Sequence, residues 1–528
     1  MRFLIFIVTT IMFFSCDNFS DRKKIAFAKN PVIAHRGAWK TNKLPQNSIA
    51  SLKEAIKLNC HASEFDVRMT KDEVLIVAHD KDFKGLLIEE TDYKELAKTN
   101  LFNEEKLPTL KEYLLAGMEN NATTGFVIEI KPTSSKEKNI LITDKVLNLV
   151  KELKANRFIV SYISFNFNIL KRIIEKNPTA KTQYLDGSKS PETLKENGIT
   201  GLDYLIYKLK IKPQFIQEAK NIGITLNAWT ANAVQDIDWL LANEFDYITT
   251  NEPELVFERI KKSPVKDGCK LVWSDEFNYK GKPDPKKWNY DYGFIANREE
   301  QYYTDRLKNA RVESGKLILE AHKESIANKD YNNPVFLKKS WKKYAAERKV
   351  GTYTSARLTT KSLASWKYGR IEVSAKLPKG VGLWPAIWML GENKTAVGWP
   401  ASGEIDIMEH VGFNSDSIFG TVHTKAYNHT KNTEQGKSIF IDKPYDTFHI
   451  FALEWTPEKM DFILNDTVYN TFRNEHLSTA EWPFDQKFYL ILNVAVGGML
   501  GGRKGIDDSI FPQQMVVDYV RVFQKEKY

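Results

Sequence analysis

The spacing of hydrophobic residues changes about half-way along the chain. In residues 31–259, short apolar runs alternate with segments whose apolar residues recur every three or four positions. The runs predict buried strands, and the segments between them predict amphipathic helices. Eight strand candidates in roughly 230 residues favour a TIM barrel. They are residues 32–35, 64–68, 126–131, 158–164, 181–185, 204–207, 225–229 and 247–250.

From residue 271 onward, polar and apolar residues alternate one by one in short runs separated by turns. Arg370, Glu372 and Ser374, for example, alternate with Ile371 and Val373. An alternation of this kind predicts strands with one buried and one solvated face. Because no long helical pattern appears, we expect a two-sheet β-sandwich of the jelly-roll type. Its curved face would provide an open cleft for a long polymer.

A short charged stretch that contains Pro264 and Gly268 separates the two patterns. Proline and glycine commonly mark boundaries between structural elements, so we expect a linker at residues 261–269. The fold class is therefore two domains, an α/β TIM barrel at residues 31–260 followed by an all-β jelly-roll sandwich at residues 270–528.

The N-terminal segment predicts export. Residues 1–15 begin with one basic residue and continue as an apolar run that is too short for a membrane span. Cys16 follows directly and resembles the cysteine of a lipobox. That resemblance implies cleavage before Cys16, lipidation of its sulfur and a membrane anchor on the periplasmic or cell-surface side. An ordinary secreted signal is the alternative. Residues 16–30 are then a polar tether.

Composition limits the classes of molecule that the protein is expected to bind. The 528 residues carry 76 Lys and Arg against 67 Asp and Glu, a net charge of +9 that comes mostly from scattered lysines. Without a basic stripe interleaved with aromatic residues, nucleic acid is not an expected partner. The three cysteines are too few for a disulfide framework. The 12 tryptophans suit a glycan-binding surface, because indoles stack on sugar rings, but they also suit a large β-core.

Polar residues of the first domain cluster where the predicted barrel strands end, which is where TIM barrels carry their catalytic groups. Converging carboxylates form a site for a hard cation, two histidines can supply acid and base, and an arginine can hold a phosphate oxygen. The residues are His35 and Arg36 after the first strand, Glu64 and Asp66 on one face of the second, His79 downstream of the second, Glu129 and Lys131 on one face of the third, and Trp229 at the end of the seventh.

These residues lie in motifs that resemble those of the glycerophosphodiester phosphodiesterase family over residues 31–253. The motifs are Ala34-His35-Arg36-Gly37, Pro45-Gln46-Asn47-Ser48, Glu64-Phe65-Asp66-Val67, Val77-Ala78-His79-Asp80, Glu129-Ile130-Lys131 and Asn227-Ala228-Trp229-Thr230. The resemblance implies release of a glycerol phosphate and an alcohol. The roles that it implies are a Ca²⁺ or Mg²⁺ site (Glu64, Asp66 and Glu129), base and acid (His35 and His79), neutralisation of the phosphodiester (Arg36 and Lys131) and substrate contact (Trp229). Gln46 departs from the usual glutamate, which removes a charge at the rim of the pocket.

The stretch from Glu404 to Glu409 predicts a strand with three carboxylates on one face. Residues two apart share a face of a strand, so Glu404 and Asp406 point the same way. Glu409 is five positions from Glu404, so a regular strand would turn it away. One extra residue, a β-bulge at Ile407-Met408, returns it to the same face. Two carboxyls about 5–5.5 Å apart there fit a retaining glycosidase, in which one is the nucleophile and the other the acid/base.

This stretch and several others resemble glycoside hydrolase family 16 over residues 270–524, and within it the laminarinases, which cut β-1,3-glucan internally. The other motifs are Leu271-Val272-Trp273-Ser274-Asp275-Glu276-Phe277, Gln301-Tyr302-Tyr303-Thr304, Trp366-Lys367-Tyr368-Gly369-Arg370-Ile371-Glu372, Gly382-Leu383-Trp384-Pro385-Ala386-Ile387-Trp388 and Val517-Asp518-Tyr519-Val520-Arg521-Val522. The roles that the resemblance implies are nucleophile (Glu404), acid/base (Glu409), the carboxylate between them (Asp406), bonds to sugar hydroxyls (Asn297 and Arg370) and a structural Ca²⁺ site (Glu276, the Gly315 carbonyl and Asp518).

Aromatic residues near the carboxylates are candidate sugar contacts. We expect platforms for sugar rings at Trp384, Trp388 and Trp399, although the even spacing of the first two also suits core positions. His423, on the next predicted strand, either contacts the carboxylate face or is a hydrogen-bonded histidine of the cleft wall.

The main hypothesis is an exported bifunctional hydrolase, whose barrel cleaves glycerophosphodiesters and whose jelly roll cleaves β-1,3-glucan with retention. Because the two domains share a chain, we expect a glucan substituted with phosphoglycerol as the natural substrate. A glycan-binding surface lipoprotein with an inactive or drifted barrel is the alternative from another class, although a binding module does not need three carboxylates. A hydrolase of another β-glucan or of a galactan also stays open, since loops select the substrate.

Overall fold

The computed structural model describes residues 25–339 and 342–526. The predicted signal at residues 1–15, Cys16 and the tether up to residue 24 lie outside the described residues. Within the described ranges, no helix is both long and apolar enough to span a bilayer.

The first half alternates strands with helices, as the hydrophobic pattern predicts. Its strands are β1 (Val32–Ala34), β2 (Ala62–Met69), β3 (Leu75–Val77), β4 (Asp82–Phe83), β5 (Leu86–Leu87), β6 (Gly125–Ile130), β7 (Ile159–Ser164), β8 (Thr182–Tyr184), β9 (Gly201–Leu205), β10 (Thr225–Trp229) and β11 (Tyr247–Thr250). Its helices are α1 (Ile49–Lys57), α2 (Tyr93–Leu96), α3 (Leu110–Met118), α4 (Lys136–Glu152), α5 (Phe167–Lys176), α6 (Pro191–Glu196), α7 (Ile206–Ile211), α8 (Gln214–Ile222), α9 (Val234–Ala242) and α10 (Pro253–Lys262).

Eight of these strands are parallel and close into a barrel. The order around it is β1-β2-β6-β7-β8-β9-β10-β11, and β1 pairs in parallel with both β2 and β11. The predicted TIM barrel is therefore confirmed. Closure brings the carboxyl ends of all eight strands to one end of the barrel, where the predicted catalytic residues lie.

One barrel strand is displaced from its predicted position. The sixth is β9, which runs Gly201–Leu205 rather than over residues 204–207, and the residues that follow form α7. The apolar run here continues from the strand into the helix, so periodicity alone does not divide it. Asp203 consequently lies inside a barrel strand.

A side-chain cap fixes the start of α1 and, with it, a loop of the barrel site. Ser48 Oγ accepts a hydrogen bond from the Ser51 amide at 3.0 Å, an interaction typically worth about 1 kcal/mol. The residue before the cap, Asn47, donates its backbone N–H to the Arg36 carbonyl at 3.0 Å. This loop therefore packs onto the end of β1.

The second half is a sandwich of two largely antiparallel sheets, as predicted. Its strands are β12 (Cys269–Asp275), β13 (Asn289–Tyr290), β14 (Gln301–Tyr303), β15 (Ala310–Glu313), β16 (Lys316–Ala327), β17 (Val350–Ser355), β18 (Arg357–Thr359), β19 (Gly369–Lys376), β20 (Leu383–Gly391), β21 (Glu404–Glu409), β22 (Ser417–His423), β23 (Gln435–Phe440), β24 (His449–Trp455), β25 (Lys459–Leu464), β26 (Thr467–Arg473), β27 (Phe488–Val496) and β28 (Gln513–Lys525). Its short helices are α11 (Pro334–Leu337), α12 (Lys343–Glu347), α13 (Lys394–Val397) and α14 (Gly498–Gly501).

The two sheets have seven and ten strands. The seven-stranded sheet has the order β13-β18-β27-β20-β21-β22-β23, and the ten-stranded sheet is built around β16, β28, β19 and β24. Apolar side chains of both sheets fill the space between them, such as Val373 of β19 and Ile405 of β21, which are both fully buried. Burial of a side chain of this size contributes about 1.5–3 kcal/mol. The intervening polar residues face outward.

The predicted linker is mostly structured. Helix α10 extends to Lys262, a 3₁₀ turn spans Pro264–Asp267, and β12 begins at Cys269. Cys269 therefore lies in a strand rather than in a linker. The described chain forms two compact units, with the final division between Phe257 and Glu258.

Candidate active sites

The ends of β2 and β6 bring three carboxylates together in the barrel. Glu64 and Asp66 lie on β2, and Asp66 pairs in register with Glu129 on β6. One oxygen from each carboxylate lies within 4.8 Å of the other two, and all three side chains are buried. Buried like charges at this separation require compensating cations or bound protons.

Lys131 supplies part of that compensation. Its Nζ lies 2.8 Å from Asp66 Oδ1 and 2.8 Å from Glu129 Oε1. Burial raises the pKa of Glu129 to about 7 and the pKa of Glu64 well above its ordinary value. Burial acts in the same direction on Asp66, but Lys131 and the neighbouring cationic side chains hold its pKa below the ordinary value. The cluster therefore carries both a cation and protons near neutral pH.

The donor set fits a divalent metal ion. Glu64 Oε1 is buried without a hydrogen-bond partner in the described part of the chain. The facing oxygens of Asp66 and Glu129 contact the Lys131 ammonium group rather than backbone donors. Converging carboxylate oxygens of this kind are the ligands that Ca²⁺ and Mg²⁺ prefer.

Two histidines line the same pocket. His35 Nδ1 lies 2.8 Å from Asn251 Oδ1, so Nδ1 carries the ring proton and Nε2, 4.0 Å from Glu64 Oε2, is free to accept one. Burial lowers the pKa of His35 to about 4, which keeps it neutral. His79 Nδ1 lies 2.8 Å from Asp80 Oδ1, and burial lowers the pKa of His79.

Arg36 and Trp229 complete the predicted set. Arg36 Nη1 donates to Gln46 Oε1 at 2.7 Å, and Arg36 Nε lies 3.4 Å from Asp66 Oδ2. The amide of Gln46 orients the guanidinium without cancelling its charge, so the departure from glutamate leaves a more cationic rim. Trp229 lies on the pocket wall and donates its Nε1–H to the Asp203 carbonyl at 3.1 Å.

In the sandwich, β21 contains the extra residue that the sequence predicts. Against β22, Asp406 pairs with Thr421 and Glu409 pairs with Phe419. Three steps along β21 therefore oppose two steps along β22, which defines a bulge. Glu404, Asp406 and Glu409 consequently share the outward face. The residues of β21 that face the core are Ile405, Ile407 and Met408.

Two tryptophans hold the outer carboxylates of this face. Trp399 Nε1 donates to Glu404 Oε2 at 3.0 Å, and Trp384 Nε1 donates to Glu409 Oε1 at 2.9 Å. Both indoles are only partly buried. Their N–H groups orient the carboxylates, and sugar binding by either ring stays a prediction.

His423 contacts the central carboxylate. Its Nε2 lies 3.4 Å from Asp406 Oδ2, and Glu404, Asp406 and His423 form the second group in the described residues whose ligand atoms lie within 4.8 Å of one another. Burial, with the nearby His429, lowers the pKa of His423 to about 4. His423 is therefore neutral at pH 7 and adds no positive charge beside Asp406.

Burial raises the pKa of all three carboxyls. It raises the pKa of Glu404 to about 7, opposed by the positive charge of Lys394 and reinforced by Glu409. It raises the pKa of Glu409 to about 6. Burial and then the two flanking carboxylates raise the pKa of Asp406 well above its ordinary value. Asp406 therefore holds its proton to higher pH than an exposed aspartate does.

The side chains of Trp388 and Asn297 each donate a hydrogen bond within the protein. Trp388 Nε1 donates to Asn493 Oδ1 at 2.7 Å, and the guanidinium of Arg357 lies 4.7 Å from the centre of a Trp388 ring. One face of that indole is thus occupied. Asn297 has φ +57° and donates Nδ2–H to Glu299 Oε1 at 3.4 Å. Sugar binding by either residue stays a prediction.

Comparisons with known proteins assign both halves. Residues 35–255 match the glycerophosphoryl diester phosphodiesterase family, and residues 298–521 match glycosyl hydrolases family 16. A beta-glucanase of Rhodothermus marinus is 50% identical over 264 residues, which cover 48% of this chain and 85% of that protein. The chain belongs to glycosyl hydrolase family 16, joined to a barrel of the phosphodiesterase family.

Two further relatives align with the family 16 domain. A glucan endo-1,3-beta-glucosidase of Cryptopygus antarcticus is 41% identical over 253 residues, covering 45% of this chain and 84% of that protein. A keratan-sulfate endo-1,4-beta-galactosidase of Sphingobacterium multivorum is 34% identical over 259 residues, covering 48% of this chain and 55% of that protein. Both halves of the chain are therefore of hydrolase families.

Arg370 does not lie with the cleft residues of the family 16 domain, which corrects its predicted role. It is on β19 of the ten-stranded sheet, whereas the carboxylates are on the seven-stranded sheet. Its neighbours Ile371 and Val373 face the core, so Arg370 points away from the other sheet. It is 7% exposed and pairs with Glu372 and with Glu454, at 2.8 Å from the latter.

The predicted structural Ca²⁺ site stays a prediction. Glu276 accepts two hydrogen bonds of 2.9 Å from Arg521. Asp518 accepts one of 2.7 Å from Lys316. A metal ion at this site would compete with these two cations for the carboxylates. Gly315 serves the turn between β15 and β16, with φ +73°.

The sequence analysis missed two residues close to the sites. Lys394 of α13 lowers the pKa of Glu404. The sequence signal for this residue was that a lysine lies in the segment just before Trp399. Asp203 lines the barrel pocket. The alternation of Asp203 with Leu202 and Tyr204 identifies it only when the strand is placed at β9.

Proposed function

We propose that the chain is a bifunctional hydrolase. Its family 16 domain cleaves β-1,3-glucan internally with retention, and its barrel hydrolyses glycerophosphodiesters with the help of a divalent metal. The observation that carries the first activity is the bulged strand β21, which presents Glu404, Asp406 and Glu409 on one face. The names of two relatives, a beta-glucanase and an endo-1,3-beta-glucosidase, support the substrate.

In the family 16 domain, Glu404 attacks the anomeric carbon while Glu409 donates its proton to the leaving glycosidic oxygen. The result is a glycosyl ester on Glu404 and a free sugar end. Glu409 then takes a proton from water, which cleaves the ester and restores the configuration. Protonated Asp406, between the two, donates a hydrogen bond that holds the nucleophile. Burial raises the pKa of Glu409 to about 6, which is the direction that a proton donor needs.

Release of reducing sugar from laminarin tests this activity. Glu404→Gln should lower kcat by roughly 10³-fold or more, because the glycosyl ester does not form. The matched control is Glu458→Gln, whose side chain is 67% exposed. An unchanged rate in Glu404→Gln would contradict the mechanism. Wild-type protein that binds laminarin without cleaving it would favour a glycan-binding role.

The galactosidase relative makes a β-galactan the second candidate substrate. Product patterns from laminarin, a mixed-linkage β-glucan and a β-galactan separate the classes. We expect oligosaccharides from laminarin at the highest rate. Faster cleavage of the galactan would overturn the choice of β-1,3-glucan while leaving the roles of Glu404 and Glu409 intact.

In the barrel, the neutral His35 accepts a proton from the water that attacks phosphorus, and His79 donates a proton to the alkoxide that leaves. Arg36 and Lys131 neutralise the non-bridging phosphate oxygens. Glu64, Asp66 and Glu129 would hold Ca²⁺ or Mg²⁺, which polarises the phosphoryl group. The products are a glycerol phosphate and an alcohol.

Glycerol phosphate release from glycerophosphocholine, with Mg²⁺ or Ca²⁺ added, tests the barrel. A chelator should abolish the activity, and Glu64→Gln should lower it by roughly 10²-fold or more through loss of one metal ligand. Glu196→Gln, at an exposed position of α6, is the control. Activity that persists in Glu64→Gln and in chelator would rule out the metal-dependent mechanism.

The natural substrate that unites both sites is a β-glucan substituted with phosphoglycerol. Support comes from the presence of both hydrolase families in one chain. With such a glucan, Glu404→Gln should still release glycerol phosphate, and Glu64→Gln should still release reducing sugar. If the substituted glucan gives no glycerol phosphate while glycerophosphocholine does, the shared substrate is wrong.

We also propose export and anchoring through Cys16. The support is the apolar run of residues 1–15 followed directly by this cysteine. Cys16→Ser should abolish incorporation of labelled fatty acid and move the protein from the membrane fraction to the soluble fraction. Unchanged fractionation would favour the ordinary secreted signal.

A further inference from the structure

The barrel pocket has two chemically different sides. Carboxylates, Lys131 and the two histidines form the side built by β1, β2 and β6. The opposite side is formed by the ends of β7 to β10 and is mostly apolar, with Ile163, Leu185 and Trp229 facing the cavity. The single charged or titratable side chain on that second side, among the described residues that line the pocket, is Asp203.

The position of Asp203 is fixed by the strand that carries it. On β9, Leu202 and Tyr204 are fully buried on the face that packs outward from the barrel, and Tyr204 donates its O–H to the Lys189 carbonyl at 2.7 Å. Asp203, between them, points inward. Only 1% of its surface is exposed.

One oxygen of this carboxyl group is buried and unsatisfied in the described chain. Asp203 Oδ1 has no hydrogen-bond partner in the part of the chain that the structure describes. The nearest amide in register, Asn227, donates its Nδ2–H to Gln183 at 3.1 Å and accepts with its oxygen from Thr249 and from a backbone N–H. A buried polar group left unpaired costs about 1–3 kcal/mol, which a ligand that pairs with it would recover.

We propose that Asp203 binds a hydroxyl group of the polyol part of the phosphodiester, as the positioning residue that makes the barrel prefer glycerol esters. This inference rests on the proposed phosphodiesterase function. The pocket wall matches such a ligand, because Trp229, Leu185 and Ile163 face its carbon chain while one polar group faces its hydroxyl. Burial, with Glu129 nearby, raises the pKa of Asp203 well above its ordinary value. A carboxyl group accepts a hydrogen bond from a hydroxyl in either protonation state, and when protonated it also donates one.

Two substrates distinguish this role from a structural one. Glycerophospho-4-nitrophenol carries the polyol, and bis(4-nitrophenyl) phosphate does not. Asp203→Leu, which removes both hydrogen-bonding functions, should raise KM for the glycerol ester about 10–100-fold and change both constants for the second substrate less than about threefold. Asp203→Asn, which keeps a donor and an acceptor, should restore most of the affinity. Equal losses on both substrates, or no loss on either, would overturn the proposal.

Direct binding tests the inference even if a variant does not fold or the barrel has no turnover. Calorimetric titration of the wild-type chain with Mg²⁺ should show glycerol 3-phosphate binding at least about 10-fold more tightly than propyl phosphate, which lacks the hydroxyls. Equal affinities would overturn the role of Asp203. Failure of the proposed function appears separately, as wild-type protein that binds glycerol 3-phosphate but hydrolyses neither ester.

Discussion

At the residue scale, each outer carboxylate of the family 16 site has a neighbour that lowers its pKa. Lys394 acts on Glu404 through its charge, and Trp384 acts on Glu409 through its N–H. Burial works against both. Because ionised carboxylates repel, the two protons leave in two macroscopic steps that belong to the pair. We therefore expect a bell-shaped pH profile whose limbs respond to different substitutions.

Lys394→Met should move the acidic limb of kcat/KM on laminarin to higher pH. The substitution removes the cation that stabilises ionised Glu404, so Glu404 should ionise at a pH about one unit higher. Lys367→Met, at an exposed bend just before β19, is the control and should leave the profile in place. An unmoved acidic limb in Lys394→Met would show that Lys394 does not act on the nucleophile.

Trp384→Phe should move the basic limb instead. Loss of the N–H that binds ionised Glu409 favours the protonated acid, so activity should persist to higher pH while kcat at the optimum falls about 10-fold through poorer orientation. A fall in activity at unchanged pH dependence would mean that Trp384 acts as a sugar contact alone.

At the scale of elements, sequence patterns predicted well where strands lie along the chain. They predicted poorly which sheet a strand joins and which side chains it contacts. The count of positions from Glu404 to Glu409 predicted the bulge, because parity along one strand is local information. The same alternation placed Arg370 on a polar face without revealing which of the two sheets carries it. The ion pair between Glu276 and Arg521 was missed for a related reason, since the two residues are 245 positions apart and no local pattern shows the pair.

Deletion of Ile407 tests the role of the bulge. Without the extra residue the strand reads Glu-Ile-Asp-Met-Glu, so a regular β21 would keep Glu409 on the outward face, two positions from Asp406. The variant should therefore keep measurable laminarin hydrolysis, with kcat lowered about 10-fold because the spacing of the two glutamates changes. Loss of the buried Ile407 side chain should also lower the melting temperature of the domain by several degrees. Ile407→Val keeps the bulge and should retain nearly full activity. Complete loss of hydrolysis in a folded deletion variant would show that the bulged geometry itself is essential.

At the scale of the whole molecule, two hydrolase families share one chain, and each half has a buried acidic cluster with raised pKa values. The family assignments and the metal-ligand motif were readable from sequence because they rest on short contiguous motifs. Asp203 was not readable from sequence. Its importance comes from the buried Oδ1, which has no partner in the described chain, and only the packed barrel reveals this. The raised pKa values of Glu64 and Glu129 should make the stability of the barrel depend on pH.

Stability of the barrel should fall as pH rises, and a divalent metal should reverse the fall. Burial raises the pKa of Glu129 from 4.5 to about 7 and that of Glu64 in the same direction. The folded barrel therefore binds more protons than the unfolded chain, so stability is greatest near the unfolded pKa and decreases as pH rises through the folded pKa. A metal ion that replaces these protons binds more tightly over the same interval.

Scanning calorimetry at pH 5, 6, 7 and 8, with Mg²⁺, Ca²⁺ or chelator, measures both effects. With metal at about 100 times its Kd, the barrel transition should gain about 2.7 kcal/mol near pH 8 and much less at pH 5. Glu129→Gln should remove the metal-induced shift and flatten the pH dependence, whereas Glu404→Gln should leave both unchanged and so identify which transition belongs to the barrel. A metal shift of the same size at every pH would mean that the ion does not compete with protons on these carboxyls.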